Sequence, residues 1–220
     1  MEVEYIKRYS DWFQGHFSAS YSIATGKSSS AEQALYNIQQ GLSDNVKEFY
    51  VAWDRPFDAS ATLNFHVNKN KALFGFGNGI LDDYNIYTRF FYESGKRYTP
   101  QILIGYDAIT GRPTYLSDAN NSYGAVGDDI MTVDLNFEKT INFSVVKVII
   151  SVEISNLLNR ENAQIINPVT GSAYTLGQPT PNNWNDPRYP ELQAPVDPYP
   201  FNPARYMEPR HIMLGVAVRF

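Results

Sequence analysis

Arg210–Phe220 reads RHIMLGVAVRF. Ile212, Leu214, Val216, Val218 and Phe220 take every even position, with His211, Met213, Gly215, Ala217 and Arg219 between them. Apolar residues at a period of two line one face of a β-strand, because successive Cβ atoms point to opposite sides. A helix would need spacings of three and four. A length of about ten residues is what a tilted strand needs to cross a bilayer. The stretch therefore predicts a membrane-crossing strand, and the rest of the chain should repeat its pattern.

It does. Alternation recurs at residues 1–9, 13–25, 48–53, 59–68, 84–93, 98–106, 131–138 and 144–157. Phe13, Gly15, Phe17, Ala19, Tyr21 and Ile23 oppose Gln14, His16, Ser18, Ser20 and Ser22; Val146, Val148, Ile150, Val152 and Ile154 oppose Val145, Lys147, Ile149, Ser151, Glu153 and Ser155. With 210–220 this predicts nine strands in one domain spanning 1–220. The fold class is all-β: an antiparallel transmembrane β-barrel segment. Two smaller features interrupt it. Ser30 and Gln33 form a capping-box pattern before Ala34, Leu35, Ile38 and Leu42, with Gly41 as a stop, so a short helix is expected within 26–47. A hairpin about Thr170-Gly171 is expected between Ala163 and Leu176.

The connections alternate in length. Segments 10–12, 54–58, 94–97 and 139–143 are short, whereas 26–47, 107–127 and 158–209 are long and 69–83 is intermediate. Membrane barrels have short periplasmic turns and long outer loops. On that parity Phe220 ends on the periplasmic side. Bacterial single-chain barrels have even strand numbers, so an odd count points to a piece of a larger barrel or to one unread strand. Aromatic residues at strand ends (Tyr9, Phe13, Trp53, Tyr92, Tyr98 and Tyr106) fit interfacial girdles. A soluble β-sandwich binding module would reverse the geometry, with the apolar face as its core.

Bulk properties restrict the classes further. The chain has no cysteine, so disulfides and thiolate metal sites are excluded. Its formal net charge is −5 with no long basic run, which disfavours nucleic acid. Mean hydropathy is −0.36, yet a membrane barrel is only half apolar per strand and gives a weak signal. The opening MEVEYIKRY carries no signal-peptide core, so an exported protein would begin upstream and this chain is expected to be a carboxy-terminal fragment.

No catalytic, cofactor-binding or metal site is expected. His16, His66 and His211 fall on different strands. Asp82-Asp83 and Asp128-Asp129 read as solvated turns rather than Ca²⁺ ligands. Arg89, Glu93, Lys147 and Glu153 are polar-face charges suited to a network inside a barrel. Gly75, Gly77 and Gly79 lack the spacing and the strand–helix context of a dinucleotide loop. Trp184, Tyr189, Tyr199, Phe201 and Tyr206 give segment 158–209 stacking surfaces either for packing of the loop on itself or for sugars or chelates, in which case they are the candidate ligand contacts.

Four stretches carry a resemblance. They are Ala52-Trp53-Asp54-Arg55-Pro56, Ser94-Gly95-Lys96-Arg97-Tyr98-Thr99-Pro100, Glu153-Ile154-Ser155-Asn156-Leu157-Leu158-Asn159, and Asn202-Pro203-Ala204-Arg205-Tyr206 through Glu208-Pro209-Arg210 to Phe220. In that order and spacing the chain resembles the carboxy-terminal part of a TonB-dependent outer-membrane receptor of Bacteroidetes-like type. The resemblance implies a barrel of about 22 strands around a plug. It implies import of a large nutrient (an iron chelate, cobalamin or a glycan) with energy relayed through TonB. The implied partners are outer-membrane lipid of a Gram-negative bacterium, the barrel-assembly machinery, the nutrient, and the TonB complex through a plug domain absent from this chain. It further implies that the assembly machinery reads the closing strand, through Leu214, Val216, Val218 and Phe220. The competing expectation is a small outer-membrane enzyme or adhesin barrel, which would need a convergent active site that the sequence does not display.

Overall fold

The computed structural model describes the chain except for residues 11, 28–30, 42–47, 70–81, 110, 112 and 174–204. It is built on one antiparallel sheet of seven strands. We number these β1 (Glu2–Ser10), β2 (Phe13–Tyr21), β3 (Phe57–Val67), β4 (Tyr84–Glu93), β5 (Ile130–Phe143), β6 (Val146–Ser155) and β7 (His211–Arg219). Each strand pairs with its predecessor in this series, so the sheet is a plain meander from β1 to β7. Every ladder is antiparallel.

The register keeps the alternation in phase across all seven strands. One row runs Lys7, Gly15, Leu63, Thr88, Leu135, Ile154, Ile212. The next runs Phe13, Phe65, Ile86, Phe137, Val152, Leu214. A slip of one residue in any ladder would have mixed the faces. Instead Val, Ile, Leu, Phe and Tyr gather on one continuous face. Ser, Asn, Thr, Asp, Glu and His gather on the other, as in the row Ile6, His16, Thr62, Arg89, Asp134. Among the described residues, no element packs as a second layer over the apolar face. Leu214 and Val216 are 78% and 72% exposed there, and Tyr5, Phe17, Tyr21, Leu63 and Ile150 are exposed as well.

Connections of unequal length sort by end. Segments 22–56, 94–129 and 156–210 all join strands at one end of the sheet; 11–12, 68–83 and 144–145 join them at the other. The intermediate connection thus lies with the short turns, not with the long loops as expected from its length. Phe220 follows β7 at the short-turn end.

Two predicted strands are corrected. Segment 48–53 contributes only Phe49–Tyr50, paired with Thr25–Gly26. Its apolar members serve the loop end, where Val51 is buried. Segment 98–106 leaves the sheet too. Arg97–Tyr98 pairs with Ala125–Val126, and Gln101–Tyr106 forms a separate hairpin with Pro113–Ser117. In that hairpin Ile102, Leu103 and Ile104 are exposed in succession, and the register shifts between Leu103 and Gly105. Residues 54–56 and 94–97 are therefore parts of longer connections, Phe57 and Asp58 open β3, and the last short turn falls at Ser144-Val145 rather than across 139–143. The strand expected over 13–25 ends at Tyr21.

The expected helix is present at Ala31–Gln39. Gly41 adopts a positive φ of 64° and donates its N–H to the Ile38 carbonyl at 3.1 Å, the left-handed stop that glycine accepts without strain. Ser30, the expected cap, lies outside the described residues. The hairpin about Thr170-Gly171 is also present. Ile166 bridges Ala173, and Gly171 at φ 78° donates to the Asn167 carbonyl at 2.8 Å.

Candidate functional site

The polar face carries the wells of the sheet. One depression, of about 370 Å³, is lined by Ile6, Arg8, Gln14, His16, Thr62 and Tyr87 among others. A second, of similar size, lies nearer the long-loop end, between Thr132, Asp134, Asn156, Met207 and Glu208. Cross-strand polar pairs tie this face together. His16 meets Glu4 at 3.0 Å, Ser18 meets Ser60 at 2.9 Å, and the Ser20 hydroxyl donates to Asp58. Glu93 pairs with Arg55 from the neighbouring connection at 2.8 Å. His66 contacts Asn68 at 2.9 Å, and His211 starts β7, so the three histidines stay on separate strands.

Paired aspartates diverge rather than converge. The Lys139 ammonium donates to both the carbonyl and the carboxylate of Asp82, while Asp83 accepts from the Asn142 amide at 2.7 Å. Asp128 accepts from the Ala173 N–H at 3.3 Å, and Asp129 pairs with Arg160 at 2.7 Å. Among the described residues, no cluster of three or more metal-ligating side chains forms.

At the long-loop end, the stretches that carry the resemblance meet in pairs. Asp54 and Arg97 form a buried ion pair at 2.6 Å. The other Asp54 oxygen accepts the Ala24 N–H at 2.8 Å, and the guanidinium lies 3.6 Å over the Tyr50 ring. Arg55 donates to the Ser94 carbonyl at 3.1 Å, and the Ser94 hydroxyl accepts from the Phe57 N–H at 3.0 Å. Asn156 links the other two stretches. Its amide donates to the carbonyls of Arg160 at 2.9 Å and Glu208 at 3.2 Å, and its oxygen accepts the Arg160 N–H at 3.0 Å. Asn159 accepts the Arg210 N–H at 3.0 Å. Asn156 and Asn159 sit at φ 50° and 51°, a region asparagine enters more readily than other non-glycine residues.

Two buried polar side chains, Asn162 and Asn167, escaped the sequence reading, and a third, Arg205, stood there only within a stretch that carries the resemblance. Asn162 accepts from the Met131 N–H at 3.0 Å and donates to the Met131 carbonyl at 2.9 Å, so its amide stands in for a neighbouring strand. Asn167 accepts from Val169 at 2.9 Å and organises the Thr170-Gly171 turn. Arg205 is fully buried, and its carbonyl accepts from Gln164 at 2.7 Å. The one available signal was asparagine density in 156–167; spacing gave none, since the partners are backbone atoms.

Of the candidate ligand contacts, Tyr206 is described. It is half-buried and bridges Ala163 through the backbone. Burial raises its phenol pKa, with Glu161 adding to the shift and Arg205 opposing it. Tyr98 is raised likewise, by burial and then by Asp128. Trp184, Tyr189, Tyr199 and Phe201 lie outside the described residues. Leu214, Val216 and Val218 line the apolar face of β7, and Phe220 is fully exposed beyond it. Of the expected aromatic girdle, Phe13 and Tyr92 lie on the apolar face and Tyr9 lies in β1, whereas Trp53, Tyr98 and Tyr106 lie in connections outside the sheet.

Asn156→Ala is expected to lower stability by about 2 kcal/mol, since three hydrogen bonds and a tolerated left-handed backbone are lost together. Asn156→Gly should recover only the backbone part. Denaturant titration of both variants beside the wild type measures the difference.

Compared with known proteins, the chain matches no family model, no curated protein and no solved structure. What stands on the geometry is the class: an all-β protein built on a seven-stranded antiparallel meander with one apolar and one polar face.

Proposed function

We propose that this chain forms part of the wall of an outer-membrane transport barrel of the TonB-dependent receptor kind, taking up a large nutrient such as an iron chelate, cobalamin or a glycan. The observation that carries the reading is the apolar face. It is continuous over seven strands and, among the described residues, bare of a second layer. In water such a face would be far larger than the few hundred Å² that soluble monomers expose. Lipid is the solvent that it fits. The polar face, with its two wells and its cross-strand pairs, then lines the lumen.

Two further features support it. All connections of twenty residues or more sit at one end, as outer loops do. Among the described residues each of β1 and β7 is paired along one edge only, so further strands are needed to close a wall. A plug and its TonB contact would come from other sequence of the same receptor.

The test is fractionation. The protein should stay with the membrane through a high-salt and alkaline wash and enter solution only with detergent. Release without detergent as a monodisperse species would sink the proposal in favour of a β-sandwich module. Transport itself is read by uptake: cells lacking the protein should lose accumulation of one labelled nutrient among the three classes, and complementation should restore it.

A further inference from the structure

Two lysines interrupt the apolar face, Lys7 on β1 and Lys139 on β5. They do not share a row. The row through Lys7 meets β5 at Leu135, and Lys139 stands four residues further towards the short-turn end. Four residues span about 14 Å along a strand, and four strand steps span about 19 Å across the sheet. The line joining the lysines is thus inclined by about 35° to the rows.

The ends of the strands show the same stagger independently. The β1–β2 turn closes at Ser10 and Phe13, on the row of Phe137. The β5–β6 turn closes at Phe143 and Val146, six residues beyond that row. This gives an inclination of about 45°. The two values bracket the range of about 35–45° by which strands tilt in membrane barrels.

We infer that the short-turn end of the apolar face docks into the phospholipid headgroup layer along one oblique level, marked by Lys7, Phe65, Lys139 and Val218. This rests on the membrane reading above and adds the depth and tilt at which the sheet sits. The spacing is one residue of advance per strand. From the Lys7 row it predicts Phe65 on β3, Lys139 on β5 and Val218 on β7.

The side chains along the line have the chemistry of a headgroup boundary. The Lys7 ammonium reaches Ser10 at 3.2 Å, and the Lys139 ammonium reaches Asp82, so both point towards the short-turn end. Long basic chains behave so where their stems lie in hydrocarbon and their charges meet phosphate. Between them Trp12 stacks on Phe65 at 5.8 Å, Phe13 packs on Phe65 at 4.9 Å, and Tyr84 packs on Phe137 at 6.3 Å. Aromatic rings concentrate at such boundaries.

The chain has no cysteine, so single cysteines can be read one at a time. The protein is reconstituted in phosphatidylethanolamine–phosphatidylglycerol vesicles with a fluorophore at Lys7→Cys, Phe65→Cys, Lys139→Cys or Val218→Cys. Nitroxide lipids labelled near the headgroup should quench all four equally. Leu135→Cys should lie about 11 Å deeper and be quenched most by a nitroxide deep in the acyl chains, and Ile212→Cys should lie past it, about 16 Å from the line. Equal depth for Lys7, Leu135 and Ile212 would overturn the oblique level and leave the membrane reading intact. Absence of quenching at every position would overturn both. Phe65→Cys and Val218→Cys leave the lysines in place, so they carry the test if loss of a lysine unfolds the protein.

Discussion

Replacing Arg97 by leucine is expected to destabilise the protein by about 3–5 kcal/mol, the cost of breaking a buried ion pair by removing one partner. The side chains of Arg97 and Asp54 are 7% and 2% exposed. Without the guanidinium, the Asp54 carboxylate keeps the Ala24 N–H and loses its countercharge in a site that water does not reach. The Tyr50 ring loses its cation as well. The damage should be local in its first effect, because the pair joins the connection 22–56 to the connection 94–129 and lies outside the sheet ladders. Amide exchange at Ala24 and Val51 should rise well before exchange in β5 and β6. Asp54→Asn combined with Arg97→Leu should recover much of the loss, since no unpaired charge remains. A double variant as unstable as the sum of the two singles would show that the pair is not coupled.

The seven strands were legible because burial on one face leaves a period of two in the sequence, and the paired register keeps that period in phase. In Leu214, Val216 and Val218 the pattern is read without help from any other residue. The same logic misassigned 48–53 and 98–106. Alternation there has a different cause: Val51 is buried at the loop end, and Ile102 and Ile104 are exposed in a hairpin of their own, so neither segment faces the sheet's apolar side. A period of two reports that alternate residues share an environment; it does not say which one.

The loop-end platform was legible as motifs and not as a structure. Asp54, Arg97, Asn156 and Asn159 all stood in the stretches that carried the resemblance, yet their pairing across 43 residues, in the case of Asp54 and Arg97, leaves no local trace. Asn162 and Asn167 were invisible for a further reason. Their partners are backbone groups, which every residue has, so complementarity cannot be sought by residue type. The connection 68–83 illustrates the limit of length as a guide. Its position is set by the parity of β3 and β4, and parity became countable only once the two misassigned strands were removed.

The second large effect is expected from adding one methyl group to Gly95. A Cβ at that position would run into the carbonyl groups of Gly127 and Asp128. These are backbone atoms, and the segment is anchored on both sides. Gly127 donates to the Lys96 carbonyl at 3.0 Å, and Asp128 donates to the Gly171 carbonyl at 2.9 Å. The space about Gly127 is itself tight, since a Cβ there would meet Ile166 and the Gly171 carbonyl. Relief therefore requires breaking a hydrogen bond or shifting three chain segments together. Gly95→Ala should cost about 3 kcal/mol, at the upper end of overpacking penalties. Gly15→Ala is the matched comparison. Its Cβ would meet the ring of Phe13 at 3.1 Å and a methyl of Leu63 at 3.2 Å, both side-chain atoms on the open apolar face that can give way. That variant should stay within about 1 kcal/mol of wild type. Parallel denaturation of the two variants separates backbone crowding from the mere addition of a methyl group. Equal stability of the two would refute the account, because the overlap at Gly95 is deeper and with backbone, whereas that at Gly15 is shallow and with side chains.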